Sequence, residues 1–157
     1  MLAFRFIWVG KSEEGEYARG IERYRARLSR WASVEEVVIR PERDRDDAAA
    51  RREGARILDA LRGRVVVLDE RGRMKSSEEF AKMLANHRER DPRPLSFVVG
   101  GASGVSPEVV SRADEVLSLS RLTFPHQVAR LLLVEQVYRA LSIQAGLSYH
   151  RPLSVKE

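Results

Sequence analysis

The chain has 157 residues, 43% of them hydrophobic and 32% charged, which fits one globular domain over residues 1–157 able to bury a core without staples. It has no cysteine, which excludes disulfides, cysteine-ligated zinc, iron–sulfur clusters and thiolate nucleophiles and agrees with a reducing cytoplasm. Lys and Arg outnumber Asp and Glu by 28 to 23, a net charge of +5; this favours polyanions such as nucleic acid, although a solvated basic surface explains it equally well.

The amino-terminal MLAFRFIWVGKSEE holds an apolar run too short for a signal peptide and followed at once by polar residues. It predicts a first strand, FRFIWV from Phe4. Tyr17, Ile21, Tyr24, Leu28 and Trp31 then recur at helical spacing and predict an amphipathic helix. VEEVVI from Val34 predicts a second strand. Residues Ala49 to Leu61, with Ile57, Leu58 and Leu61 on one face, predict a second helix whose start is poorly marked. RVVVLD from Arg64 is the third strand. Ser76 and Glu79 have the spacing of a capping box, and Phe80, Met83, Leu84 and His87 carry on the 3.6-residue period of a third helix. LSFVVG from Leu95 is the fourth strand. Ser106, Pro107 and Glu108 offer an N-cap, a proline that needs no N–H and a charge suited to the dipole, so a short helix starts there. EVLSLS from Glu115 is the fifth strand. The last helix, about Gln127 to Ala145, is apolar on almost every face, which predicts burial on several sides, part of it at a subunit interface. Strand and helix alternate throughout, as in an α/β domain with a mostly parallel sheet flanked by helices. No stretch approaches the ~20 apolar residues of a membrane span, and no repeat or long linker interrupts the chain.

In such sheets ligands bind at the carboxyl ends of strands. Gly100-Gly101-Ala102-Ser103-Gly104 follows the fourth strand directly. Glycines there permit close approach to a ligand and positive φ, or merely turn the chain; the run is neither a dinucleotide fingerprint nor a P-loop. After the third strand come Asp69, Glu70 and Gly72, where an acidic residue can receive a ribose hydroxyl, although a solvated turn explains Asp69 and Glu70 more simply; Leu68 can supply an apolar wall for an adenine ring. Between the fifth strand and the last helix, Leu119-Ser120-Arg121-Leu122-Thr123-Phe124-Pro125-His126 is unusually apolar for a loop and is expected to be buried. His87, His126 and His150 are far apart and match no metal-ligand spacing, and no G-x-S-x-G elbow supports a serine hydrolase. The tail Tyr149-His150-Arg151 combines a stacking platform, a titratable imidazole and a phosphate-binding guanidinium, or is a frayed end.

The motifs FVVGGASG, LSLSRLTFPHQVARLLLVEQVYRA and YHR, together with VLDERGRMKSSEEFA and FIWVGK, resemble the RlmH family of SPOUT methyltransferases over essentially the whole chain. The resemblance implies transfer of methyl from S-adenosylmethionine to N3 of a pseudouridine in helix 69 of 23S rRNA, position 1915 by family convention, on assembled ribosomes. It also implies a homodimer and a deep trefoil knot in the carboxyl-terminal part, about 64–157; true knots are rare, and no periodicity could have revealed one. Carried over, the cofactor pocket uses Leu68, Gly100 and Gly101 with the loop Leu119, Ser120, Arg121, Leu122, Thr123, Phe124 and Pro125, and needs no metal. His150 is the candidate acceptor of the N3 proton. Arg139, Tyr149 and Arg151 are candidate contacts to the RNA. Glu135 is an alternative base, although a carboxylate four residues before Arg139 is more simply a helix pair, and His126 is expected to orient a neighbour or join the core. Two other classes fit less of the chain: a flavodoxin-like nucleotide-binding module, which lacks its phosphate loop here, and a non-catalytic ribosome-binding factor, which leaves the glycine pair and the proline-ended loop unexplained.

Overall fold

A computed structural model of the chain describes residues 1–11 and 14–151; the end of the expected knot region, 152–157, lies outside them. Five strands and five helices alternate: β1 (Leu2–Val9), α1 (Glu16–Leu28), β2 (Ala32–Ile39), α2 (Asp47–Ala60), β3 (Arg64–Met74), α3 (Ser77–Arg90), β4 (Leu95–Val99), α4 (Pro107–Arg112), β5 (Glu115–Ser118) and α5 (His126–Gln144). The sheet has the order β2-β1-β4-β3-β5, and every pairing is parallel.

A parallel sheet needs helical crossovers, which cover both its faces. Side chains alternate across each strand accordingly. Phe4, Phe6 and Trp8 of β1, Phe97 of β4 and Val66 and Leu68 of β3 face one core with Leu28, Phe80, Leu133 and Val137 from α1, α3 and α5. Ile7, Val9, Val65, Val67 and Val98 face the other with Ile57 and Val109 from α2 and α4. The aromatic row continues across strands, with Phe6 stacked on Trp8 at 5.7 Å and on Phe97 at 5.8 Å between centroids.

Several expectations need correction. Trp31 is not on the first helix: α1 ends at Leu28, and Trp31 lies in the turn before β2, stacked on Tyr138. Tyr17, on the predicted buried face, is 49% exposed, because α1 seats on Ile21 and Leu28. The start of α2 is well capped after all: Asp46 accepts the N–H of Ala49 at 2.8 Å. In β3 the pairing with β5 shifts register between Leu68 and Arg73, so Asp69–Gly72 loop outward before the strand resumes. The capping serines stand as predicted, Ser76 accepting from Glu79 and Ser106 from Val109. On α5 no residue from Gln127 to Gln144 is exposed; within one chain α1, α3, the sheet and the terminal tail supply the cover.

Candidate active site

The carboxyl ends of β3 and β4 and the loop after β5 meet in a cleft of roughly 690 Å³, within the range of small-molecule sites. Of the sequence candidates, Leu68, Gly100, Gly101, Leu119, Ser120, Leu122, Thr123, Phe124 and Pro125 line it; Arg121 does not, and is exposed. A second cavity of roughly 340 Å³ shares Leu119 and Phe124 and runs toward Ser77 and Gln136.

The glycine turn owes its shape to packing more than to dihedral freedom. Positive φ occurs at Gly104 (76°) and not at Gly100 or Gly101. A Cβ at Gly100 would stand 2.9 Å from the Gly104 carbonyl carbon, and one at Gly101 3.0 Å from Val9, so both must be glycine for the turn to lie flat on β1. Its closing bond runs from Gly104 N–H to the Gly101 carbonyl at 3.0 Å.

The Leu119–Pro125 loop is not buried, contrary to its composition: Leu122 is 71% exposed, and Arg121, Thr123 and Pro125 are exposed. Polar bonds hold it instead. Ser118 Oγ donates to the Ser120 carbonyl at 2.8 Å, Ser120 Oγ accepts from Leu122 N–H at 3.0 Å, and Thr123 donates to Glu70 at 2.7 Å, tying the loop to the β3 turn. At that turn Arg71 holds the Asp69 carboxyl below the usual carboxylate range through its side-chain hydrogen bonds. Two carboxylates therefore sit at the cleft. His126, expected to be a core or orienting residue, is exposed at the start of α5 and lines the cleft.

The tail is not frayed. It crosses the outer side of α5 between α1 and α3. The Tyr149 ring meets Tyr138 edge-on at 4.7 Å, and its hydroxyl lies 3.0 Å from both Tyr24 and Glu135. His150 reaches Arg139 with Nδ1 at 3.1 Å and Glu78 with Nε2 at 2.8 Å. Arg139 also pairs with Glu135 at 2.6 Å, the predicted helix pair, and lies over the Tyr149 ring. Arg151 is exposed. A guanidinium only donates, so Nδ1 accepts and Nε2 carries the hydrogen toward Glu78. None of His150, Arg139, Tyr149 and Arg151 lines the cleft; Arg139 stands about 20 Å of helix rise beyond His126.

Sequence reasoning missed four residues here. Arg130 is fully buried and donates to the carbonyls of Val9 and Gly10 beside the glycine turn; burial pushes its guanidinium down to about 10. A lone charge inside VARLLLV was a usable signal. Glu53, 4% exposed, accepts the N–H of Glu42 beneath Gly101. Tyr24 and Glu78 hold the tail, and nothing local marks them. Among the described residues no group of three acidic or histidine side chains is placed to hold a metal, and no helix is long and apolar enough to cross a membrane.

The model of the family described as Predicted SPOUT methyltransferase matches residues 2–150. The chain is 41% identical over 152 residues to Ribosomal RNA large subunit methyltransferase H of Geotalea daltonii, covering 95% of this chain and 99% of that one. To the protein of the same name from Anaeromyxobacter sp. it is 42% identical over 151 residues, covering 94% and 98%. Among solved structures, a probable methylase family protein from Haemophilus influenzae Rd KW20 superposes with a TM-score of 0.54 at 13% identity, over 97% of this chain and 72% of that one, a likeness of fold alone.

Proposed function

The chain belongs to the SPOUT methyltransferase family, and from that premise we propose that it is an S-adenosylmethionine-dependent methyltransferase of large-subunit ribosomal RNA. The finer reading is methylation of N3 of a pseudouridine in helix 69 of 23S rRNA, position 1915 by family convention. The enzyme works on assembled ribosomes in the cytoplasm, as a homodimer of single-domain chains with a trefoil knot in about 64–157. The observation that carries the reading is the convergence of a glycine turn, an apolar loop and two carboxylates in one cleft at the sheet's carboxyl edge.

The cleft fits the cofactor. Leu68, Leu122 and Phe124 offer apolar walls for an adenine ring, and the peptide groups of Gly100–Gly104 and Ser120 offer donors and acceptors already fixed by the bonds described above. Glu70 favours a cation, whereas the charge of Asp69 is met by Arg71. When bound, S-adenosylmethionine supplies a methyl group activated by a sulfonium charge. What remains for the protein is to orient the acceptor nitrogen and to take its proton.

His150 is the residue for the second task, and the geometry sets a condition. Its Nδ1 lone pair is held by Arg139, so it must exchange that partner for the N3–H of the base. Arg139, Tyr149 and Arg151 then stand beside the base, where a guanidinium and an aromatic face can grip it. Cleft and tail are separate within one chain, and a second copy is the simplest source of the missing half. The half-buried Val128 and Leu132 of α5 and the exposed Leu122 offer apolar surface for that contact.

The direct test is transfer of labelled methyl from S-adenosylmethionine to ribosomes lacking this modification, with the labelled nucleotide mapped. Label on N3 of the helix 69 pseudouridine is the expected result. Cofactor binding with label elsewhere moves the substrate, and a folded protein that neither binds nor transfers overturns the enzyme in favour of a ribosome-binding factor.

A further inference from the structure

Helix α1 carries an unexplained stripe of charge. Arg19, Arg23 and Arg27 are spaced four apart, which sets them along one side within roughly 80° of arc and about 6 Å apart in rise, and Arg30 follows in the turn after the helix. Arg19, Arg23 and Arg30 are exposed; Arg27 is half-buried. Among the described residues none of the four forms an ion pair. The helix's own Glu22 turns instead to Arg25, which also meets Glu36. Like charges at this spacing destabilise a helix, so the stripe weakens the free protein unless something anionic meets it.

The stripe adjoins the tail. Arg27 lies over the rings of Tyr24 and Tyr138 at 5.4 and 5.5 Å, so its guanidinium is held in place before any ligand arrives. Tyr24 in turn meets the Tyr149 hydroxyl, beside His150 and Arg139. The arginines of α1 therefore adjoin the residues that would receive the base, joined to them through Tyr24, Tyr138 and Tyr149.

We propose that this side of α1 is a docking surface for the phosphate backbone of the RNA flanking the methylated base. A second copy centred on this stripe is a poor occupant, because a two-fold axis through it would set these arginines against one another. A run of phosphates matches both the sign and the repeat of the charges. The assignment rests on the RNA-methyltransferase reading and deepens it: the cleft holds the methyl donor, the tail the base, and α1 the strand on which the base is carried.

The experiment compares the intact protein with R19E/R23E and R19K/R23K in binding to large ribosomal subunits and to a short RNA stem–loop, across a salt series, with methyl transfer and sedimentation measured in parallel. Loss of two phosphate contacts is expected to weaken binding by about tenfold or more and to lower the log–log salt slope by about 2. The lysine pair should recover most of both, and S-adenosylmethionine affinity should be unchanged in every variant. Unaltered RNA binding and salt slope in R19E/R23E, with the parent protein active on ribosomes, overturn the docking surface and leave the enzyme standing. A changed oligomeric state in that variant overturns it also, in favour of a protein interface. A parent protein that neither binds nor methylates RNA overturns both readings together.

Discussion

The Tyr149 hydroxyl donates to Glu135, which as a carboxylate can only accept, and takes a hydrogen from Tyr24. Burial first, then these two neighbours, push its phenol above the ordinary value of 10.0. A group whose pKa is higher in the folded state keeps its full contribution to stability below the unfolded pKa and loses it as pH rises toward the folded one. The wild-type urea midpoint should therefore fall between about pH 9 and pH 11 more steeply than that of Tyr149→Phe. At neutral pH the same variant should lose about 1 kcal/mol. Parallel pH profiles would show the phenol to be unlinked to folding. The Glu135–Arg139 pair was legible in the sequence because four residues separate partners on one helix face. Tyr24 was not, since 125 residues separate it from Tyr149 and only the fold brings α1 under the tail.

Two helices carry a glycine at a crossing, and their neighbours give opposite expectations. On α2 a Cβ at Gly54 would stand 2.3 Å from Ser106 Oγ and 3.1 Å from its Cβ, where α2 meets the start of α4. Ser106 cannot yield without loosening the cap it gives Val109. On α1 a Cβ at Gly20 would stand 2.9 Å from the tip of Leu131, a side chain free to change rotamer. Gly54→Ala should destabilise by about 1–3 kcal/mol despite alanine's better helix propensity. Gly20→Ala should be close to neutral or stabilising by up to about 1 kcal/mol; thermal melts of the pair decide, and equal shifts would mean that crossing geometry does not govern either site. All ten elements were foreseeable in kind, because apolar runs, 3.6-residue spacing and caps are local signals. Their irregularities were not. Trp31 kept the helical spacing after the helix had ended, and the outward loop of Asp69–Gly72 depends on β5, far along the chain.

The molecule as a whole keeps the cleft and the tail apart, and it leaves Leu122 exposed on the wall of the cleft. The composition of the Leu119–Pro125 loop predicts burial that the single chain does not provide, because polar bonds rather than apolar packing hold the loop. If tail and cleft combine across two subunits, two differently crippled chains should repair each other. Leu122→Arg places a cation on an exposed wall, where it opposes a sulfonium without disturbing the core; His150→Ala removes the proposed proton acceptor. Each alone should be nearly inactive. In a randomly exchanged equal mixture, half the dimers are mixed, and each of these holds one site built from the intact cleft and the intact tail. Activity should then return to about a quarter of wild type, given the isologous pairing expected of a two-fold dimer. No recovery, with subunit exchange verified by two affinity tags, would mean that each tail serves the cleft of its own chain and must leave α5 to reach it.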